Sequence, residues 1–241
     1  SEKESSVYNL HVADKMWLNK SFKNTILQKI ARCEMDSKRY VYSDLGFILL
    51  QQVVESIVKL PMDLYLAKEF YAPMGLQRTM YLPLQKYSKE EIMPTAANDF
   101  LRRQDLCGYV HDEAAACMGG ISGNAGLFST ASEVAKIYQM ILNGGEWNGK
   151  RYLETCRIFT TEKSAVSHRG LGYDKPNLKD LKNSPCAASA TAAVYGHTGF
   201  TGTCAWVDPE HGTVYVFLSN RLCPNVWNTK LGEMNIRTDI Q

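Results

Sequence analysis

The 241-residue chain has no long apolar run. Its uninterrupted apolar stretches are as short as residues 47–50 and 214–218, far below the roughly 20 residues that a membrane-spanning helix needs. It also lacks an excess of one charge. Lys and Arg number 27 against 25 Asp and Glu, a net of +2, whereas nucleic-acid and polybasic membrane surfaces need a concentrated positive excess. The opening S-E-K-E-S-S is polar and carries no signal-peptide pattern, so a signal, if the protein is exported, is expected outside this chain. Cysteine pairs are missing too. Seven Cys at 33, 107, 117, 156, 186, 204 and 223 form no C-x-x-C, and an odd number cannot all pair internally. They are expected as free thiols that behave as small apolar side chains. Clustered Cys and His ligands at zinc spacing are absent as well, and neither a metal nor a cofactor is expected.

The common hydrolase signatures are not there either. The chain has no H-E-x-x-H, no G-x-S-x-G and no G-K-[ST] after a glycine loop, which removes the zinc-protease, nucleophile-elbow and phosphate-cradle readings. His111, Asp112 and Glu113 are adjacent in sequence. Three consecutive side chains cannot all face one metal, so a surface or hydrogen-bonding role is expected for them.

What remains is a sequence that can fold. Apolar residues make up 45% and aromatics 10%, enough for a sizeable core in one domain. Ile26, Leu27, Ile30 and Cys33 fall at helical spacing and predict a helix over 22–34. A polar stretch, 35–39, leads to a second helix headed by Ser43 or Asp44, whose apolar residues cover most of its circumference and predict deep burial. Pro61 opens a third helix to about Tyr71, ended by Pro73 and Gly75. Residues 76–118 read as irregular, with one short helix near 89–93. The stretch 119–126, G-G-I-S-G-N-A-G, must be a loop, because four glycines in eight residues are costly inside a helix or strand. Thr130 or Ser132 caps a helix to about Leu142, stopped by Asn143-Gly144-Gly145. A further helix is expected over 153–161. The period then changes to that of strands at 203–207 and 213–218, joined as a hairpin across 208–212, and 226–236 closes the chain as a helix. Helices first and an antiparallel sheet afterwards make an α+β arrangement.

Two segments stand out. Tyr42-Ser43-Asp44 heads the apolar helix, and Gly196-His197-Thr198-Gly199-Phe200-Thr201-Gly202-Thr203 leads into a strand. Taken singly they are a helix entry and a glycine-softened strand start. In this order and separation they resemble the serine β-lactamase and penicillin-binding-protein family, especially its class C-like esterases and peptidases, whose second motif is Y-x-N and whose third is K-T-G or H-T-G on a sheet strand. The stretches Y-S-D-L-G-F-I-L-L, G-Y-V-H-D-E, M-G-G-I-S-G-N-A-G-L-F-S-T-A, R-G-L-G-Y-D-K-P, Y-V-F-L-S-N-R and M-N-I-R-T-D-I-Q are similar to that family as well. The likeness covers roughly 38–241. It is narrower still to the β-lactamase-like module fused behind a glycoside hydrolase family 3 β-N-acetylhexosaminidase in some Gram-negative cell-envelope enzymes.

The resemblance implies a β-lactamase/transpeptidase-like fold: a mainly helical part over about 38–165, then sheet strands and a C-terminal helix over about 166–241. It also implies catalytic roles for Tyr42, Asp44 and His197, and substrate binding by Thr198, Gly199, Phe200 and Arg221. The family's first motif, S-x-x-K, supplies the serine nucleophile and its lysine and comes well before the tyrosine motif. None of the 41 residues before Tyr42 forms it. Ser56-Ile57-Val58-Lys59 fits the letters but lies after the tyrosine motif at a helix end, where a solvated lysine explains it. The chain is therefore expected to be a single truncated domain, 1–241, lacking its N-terminal strands and nucleophile helix.

The chemistry needs both halves. A serine hydroxyl is a weak nucleophile until a base takes its proton, and a free tyrosine, with a pKa of about 10, needs nearby cations to ionise. By the resemblance His197 stands at the third-motif lysine, able to donate a hydrogen bond or carry charge part of the time. Asp44 stands for the usual asparagine and, ionised, offers only acceptors. The amide of Phe200 is one candidate oxyanion donor, and Arg221 can bind a carboxylate bidentately or sit solvated at the surface. Two readings follow. One is the C-terminal part of a serine hydrolase acting on a small ester, amide, β-lactam-like or cell-wall-type peptide substrate, inactive alone. The other is a non-catalytic muropeptide-binding or scaffolding module of a multidomain cell-envelope glycosidase. Both imply a periplasmic or envelope location, an N-terminal domain of the same native protein as partner, no nucleic acid, and an open sheet edge at 213–218. That edge is expected to self-associate or to recruit a segment such as the chain's own residues 5–13.

Overall fold

The computed structural model describes residues 1–34 and 40–241; the polar stretch 35–39 lies outside them. The chain divides into two compact units, Ser1–Phe128 with Leu222–Val226, and Ser129–Arg221 with Trp227–Gln241.

The first unit opens with an antiparallel hairpin, β1 (Tyr8–Ala13) and β2 (Met16–Asn19). Sequence periodicity did not disclose this hairpin, which takes up residues 8–13. Helix α1 (Phe22–Ala31) stops short of the expected 34, and its stripe of Ile26, Leu27 and Ile30 is only half-buried. Helix α2 (Leu45–Val58) ends at Lys59, which turns into the left-handed region at φ 57°. After Pro61, α3 (Met62–Leu66) runs on through a wider turn of helix, 67–71, and Gly75 at φ 71° stops it.

The expected deep burial of α2 is not found. Only Ile48 and Gln51 are buried, while Leu50, Val53 and Ile57 are 55%, 50% and 72% exposed. The described elements pack against one side of this helix, so its remaining apolar side chains meet solvent. The buried side is held by a polar contact. Gln51 donates through Nε2 to the Ile121 carbonyl at 3.2 Å and accepts through Oε1 from the Gly123 amide at 3.2 Å. The glycine loop must be glycine at that point: a Cβ on Gly123 would lie 2.1 Å from the Phe47 carbonyl oxygen.

The region read as irregular contains a helical turn at Lys89–Glu91, where the short helix was expected. It also holds a small antiparallel pair, β3 (Pro94–Ala96) with β4 (Leu106–Cys107), and the short helix α4 (Glu113–Cys117). Asp112 caps α4 by accepting from the Ala115 amide at 2.7 Å, and it accepts from Asn124 Nδ2 at 3.1 Å, tying the glycine loop to the helix start. The hydrogen-bonding role expected in the His111–Glu113 cluster thus falls to Asp112. Core side chains here are Ala13, Ala96, Leu106, Tyr109 and Leu222, and a second group of Val12, Val110, Ala115 and Ala116.

The second unit begins with α5 (Ala131–Leu142), capped by Thr130, whose side chain accepts from the Glu133 amide at 3.4 Å. A tight hairpin of β5 (Glu146–Trp147) and β6 (Lys150–Arg151) turns at Asn148-Gly149, both at positive φ, the requirement that makes Asn-Gly a hairpin turn. Helix α6 (Cys156–Thr161) follows. The sheet is antiparallel in the order β7 (Tyr195–Thr198), β8 (Cys204–Asp208), β9 (Thr213–Phe217). Cys204, Ala205, Trp206 and Val207 are all buried. Successive strand residues point to opposite faces, so both faces of the sheet are covered at its centre. Helix α5 packs on β8 and β9. In place of one terminal helix there are two short ones, α7 (Lys230–Glu233) and α8 (Ile236–Asp239), broken at Asn235, which takes φ 49°. All seven cysteines are unbridged, and Cys117, Cys156, Cys186 and Cys204 are buried. No single helix among the described residues is long and apolar enough to cross a membrane.

Candidate active site

His197 and Thr198 of the H-T-G motif lie within β7 and Gly199 opens the loop after it: Gly196, His197 and Thr198 pair with Trp206, Ala205 and Cys204 of β8. Gly196 is required by closeness, since a Cβ there would meet the Ala205 carbonyl oxygen at 2.1 Å and the Trp206 ring at 2.6 Å. The loop that joins β7 to β8 is closed by the Gly199 amide donating to the Thr203 carbonyl at 2.7 Å, and Gly202 takes φ 122°.

Two arginines clamp this loop. Arg221 donates through Nε to the Phe200 carbonyl at 2.7 Å, its guanidinium lies 4.2 Å from the Phe200 ring centroid, and its Nη1 donates to the Asn228 carbonyl at 3.4 Å. Arg237 donates through Nη1 to the carbonyls of Gly199 at 3.0 Å and Thr203 at 3.2 Å. Phe200 itself stands at the loop tip, 67% exposed. His197, Thr198, Gly199 and Phe200 thereby share the β7–β8 hairpin, and Arg221, from the segment after β9, packs against its loop.

His197 is held on both ring nitrogens. Nδ1 lies 2.7 Å from the Thr198 carbonyl, and Nε2 lies 2.7 Å from Nη1 of Arg169. Arg169 in turn is ion-paired through Nε to Asp174 at 2.6 Å, with His168 Nε2 3.3 Å from the same carboxylate oxygen. Asp174 is buried and exchanges backbone hydrogen bonds with Gly196, at 2.7 and 3.1 Å. Its neighbour Lys175 is buried as well and donates to the Thr160 carbonyl at 2.6 Å; burial pushes its ammonium below the ordinary lysine value, and the Lys163 charge adds to that. Arg169, Asp174 and Arg237 were not singled out in the sequence. They fall inside R-G-L-G-Y-D-K-P and M-N-I-R-T-D-I-Q, and the opposite charges on either side of the G-L-G-Y turn were the available signal.

Tyr42 and Asp44 belong to the first unit, at the head of α2. Tyr42 is 55% exposed. Asp44 occupies the N-cap position, and its carbonyl accepts from the amides of Phe47 at 3.0 Å and Ile48 at 3.1 Å. Ser43 adds a side-chain contact at this helix start, its Oγ accepting from the Leu45 amide at 3.3 Å. Ser56 donates to the Val53 carbonyl at 2.8 Å within α2, consistent with a helix-end role for S-I-V-K. The first unit also has a cavity of about 340 Å³ whose lining includes His11, Leu82, Leu84 and Tyr109 but none of the expected site residues. Burial, reinforced by the hydroxyl's hydrogen bond to Asp14 at 3.0 Å, raises Tyr109 well above the ordinary tyrosine range.

Solved structures place this fold. It is shared with a penicillin-binding-protein homologue from Caulobacter crescentus (17% identity, TM-score 0.53, 91% of this chain and 61% of that one). The octameric penicillin-binding-protein homologue from Pyrococcus abyssi shares it too (16% identity, TM-score 0.58, 92% and 49%). Residues 5–230 match the family described as Beta-lactamase, and the chain belongs to that family of serine hydrolases. A protein of Escherichia coli K12 named "Putative D-alanyl-D-alanine carboxypeptidase" is 34% identical over 216 residues, 83% of this chain and 50% of that protein. The chain thus spans about half the length of the curated relatives it matches.

Proposed function

We propose that this chain is the part of a β-lactamase-like serine hydrolase that carries the tyrosine motif and the H-T-G strand. Its chemistry would be acyl transfer on an ester, an amide or a D-amino-acid peptide of cell-wall type, in the cell envelope. The observation that carries this reading is the H-T-G strand itself: β7 supplies the imidazole of a chain that runs through the Arg169 guanidinium to the buried Asp174 carboxylate, and the loop after it is clamped by Arg221 and Arg237. Names given to relatives supply the peptide class. No S-x-x-K stands ahead of Tyr42; a serine and an activating lysine supplied from outside the given chain would complete the site, and the chain alone would be inactive. The uncovered side of α2 and the outer edge of β9 are where such further segments, or a second copy of the chain, would pack.

The test is direct. The isolated chain should not turn over nitrocefin or p-nitrophenyl esters, and mass spectrometry after incubation with a penicillin should find no adduct. An acyl adduct on any serine, Ser56 included, overturns the proposal. The same missing motif favours a second reading, a non-catalytic muropeptide-binding module of a multidomain glycosidase. Sequencing the gene upstream of Ser1 separates the two, because an S-x-x-K there supports the enzyme and its absence supports the binding module. Light scattering after size exclusion reads whether the β9 edge self-associates.

A further inference from the structure

The contacts of His197 fix where its proton is. A carbonyl oxygen only accepts, so the 2.7 Å contact with Thr198 requires a proton on Nδ1. A guanidinium only donates, so the 2.7 Å contact with Arg169 requires a lone pair on Nε2. The two demands agree on one species, the neutral imidazole protonated at Nδ1. An imidazolium would set an N–H against the guanidinium, and the other neutral tautomer would fail at both ends. Arg169 is not free to swing away. Its Nε is paired with Asp174, a carboxylate that is 2% exposed and is pinned by backbone bonds to Gly196, the residue before His197. A carboxylate so deeply buried needs its charge partner, which ties the guanidinium to this position.

We infer that Arg169 is a positioning residue of the H-T-G strand: anchored by Asp174, it holds His197 as the neutral Nδ1–H imidazole, so that the positive charge beside the strand belongs to the guanidinium and not to the histidine. His197 then has neither a spare donor nor a spare lone pair with which to exchange a proton with a substrate. Its task is to complete a rigid wall. This departs from the resemblance, under which His197 itself would donate or carry charge. The functional weight of the inference rests on the proposed role of the H-T-G strand, but the protonation pattern does not.

Nitrogen-resolved NMR of the full chain, labelled with ¹⁵N-histidine and recorded at pH 7.5, tests it, with His197 assigned by its loss in His197→Gln. The expected spectrum has Nδ1 protonated and Nε2 unprotonated at the upfield position of a hydrogen-bonded acceptor. Arg169→Leu should move Nε2 downfield, and Arg169→Lys should restore most of that shift, because an ammonium also donates. A proton on Nε2 in the unmodified chain overturns the inference even if no variant folds, and so does an Nε2 resonance unmoved by Arg169→Leu. A penicillin adduct would defeat the proposed inactivity and leave this result untouched, so the two failures are distinguishable.

Discussion

Helices α2 and α5 are the instructive pair. Both open at a hydroxyl-bearing turn and carry apolar residues at helical spacing, and α2 is the more apolar. Yet α5, lying on β8 and β9, leaves none of its apolar side chains beyond residue 131 exposed, whereas α2 exposes Leu45, Phe47, Leu49, Leu50, Val53 and Ile57. Periodicity states which side chains would gain from leaving water. Whether a partner surface is present to receive them is a separate condition, met for α5 by a sheet and for α2, among the described residues, on one side only.

That contrast can be broken most severely from the sheet side. Trp206 is 1% exposed and packs with Cys186, Val194 and Cys204. Trp206→Ala should destabilise the second unit by about 3–5 kcal/mol, measured as a fall in the urea midpoint. A loss below about 1 kcal/mol would mean that the sheet is not the platform described. On the other side, Gly123→Ala forces a Cβ to 2.1 Å from the Phe47 carbonyl oxygen. Backbone atoms yield poorly, so a penalty of about 1–3 kcal/mol is expected, together with faster proteolysis within α2.

A finer comparison uses one residue from each helix. Thr130→Ala removes the cap of α5 and should cost about 1 kcal/mol. Ile57→Ala, at a position 72% exposed, should stay within about 0.5 kcal/mol, as surface substitutions do. If Ile57→Ala instead costs what a buried residue costs, about 2–5 kcal/mol, then something covers that face in solution.

The same contrast explains what could be read from the letters. The cap at Thr130, the stop at Asn143-Gly144-Gly145 and the loop at 119–126 were legible because each rests on local backbone chemistry, as were strands β8 and β9. The pairs β3–β4 and β5–β6 are two or three residues long, too short to show a period. The H-T-G motif was legible as a contiguous signature. Its supports were not: Arg169 and Asp174 reach His197 only because Asp174 bridges to Gly196 across more than 20 intervening residues. Arg221 illustrates the remainder. Its sequence position suited a carboxylate, and the fold gives its Nε and Nη1 to the backbone carbonyls of Phe200 in the β7–β8 loop and of Asn228 in the segment after it.

The smallest expected effect lies in the turn that joins the two strands under α5. Asp208 accepts from the amides of Glu210 at 2.9 Å and His211 at 3.3 Å, and its other oxygen is 2.8 Å from His211 Nδ1. Partial burial acts to raise the Asp208 carboxyl, but the His211 hydrogen bond and the two amides outweigh it and hold it below the ordinary value of 3.8. The hydrogen bond to Asp208, and then its charge, raise His211 above 6.5. A lowered carboxyl contributes stability above pH 3.8 that fades as pH falls through its folded value, and a raised imidazole contributes below pH 6.5 and fades as pH rises through its own. The pair should therefore help most between those two values. The exposed ring keeps the gain small. The difference in melting temperature between the unmodified chain and Asp208→Asn should form a low dome over that window. A difference that keeps growing above neutral pH would show that the turn owes nothing to the charged pair, leaving α5 and the strands beneath it as the only source of order in that hairpin.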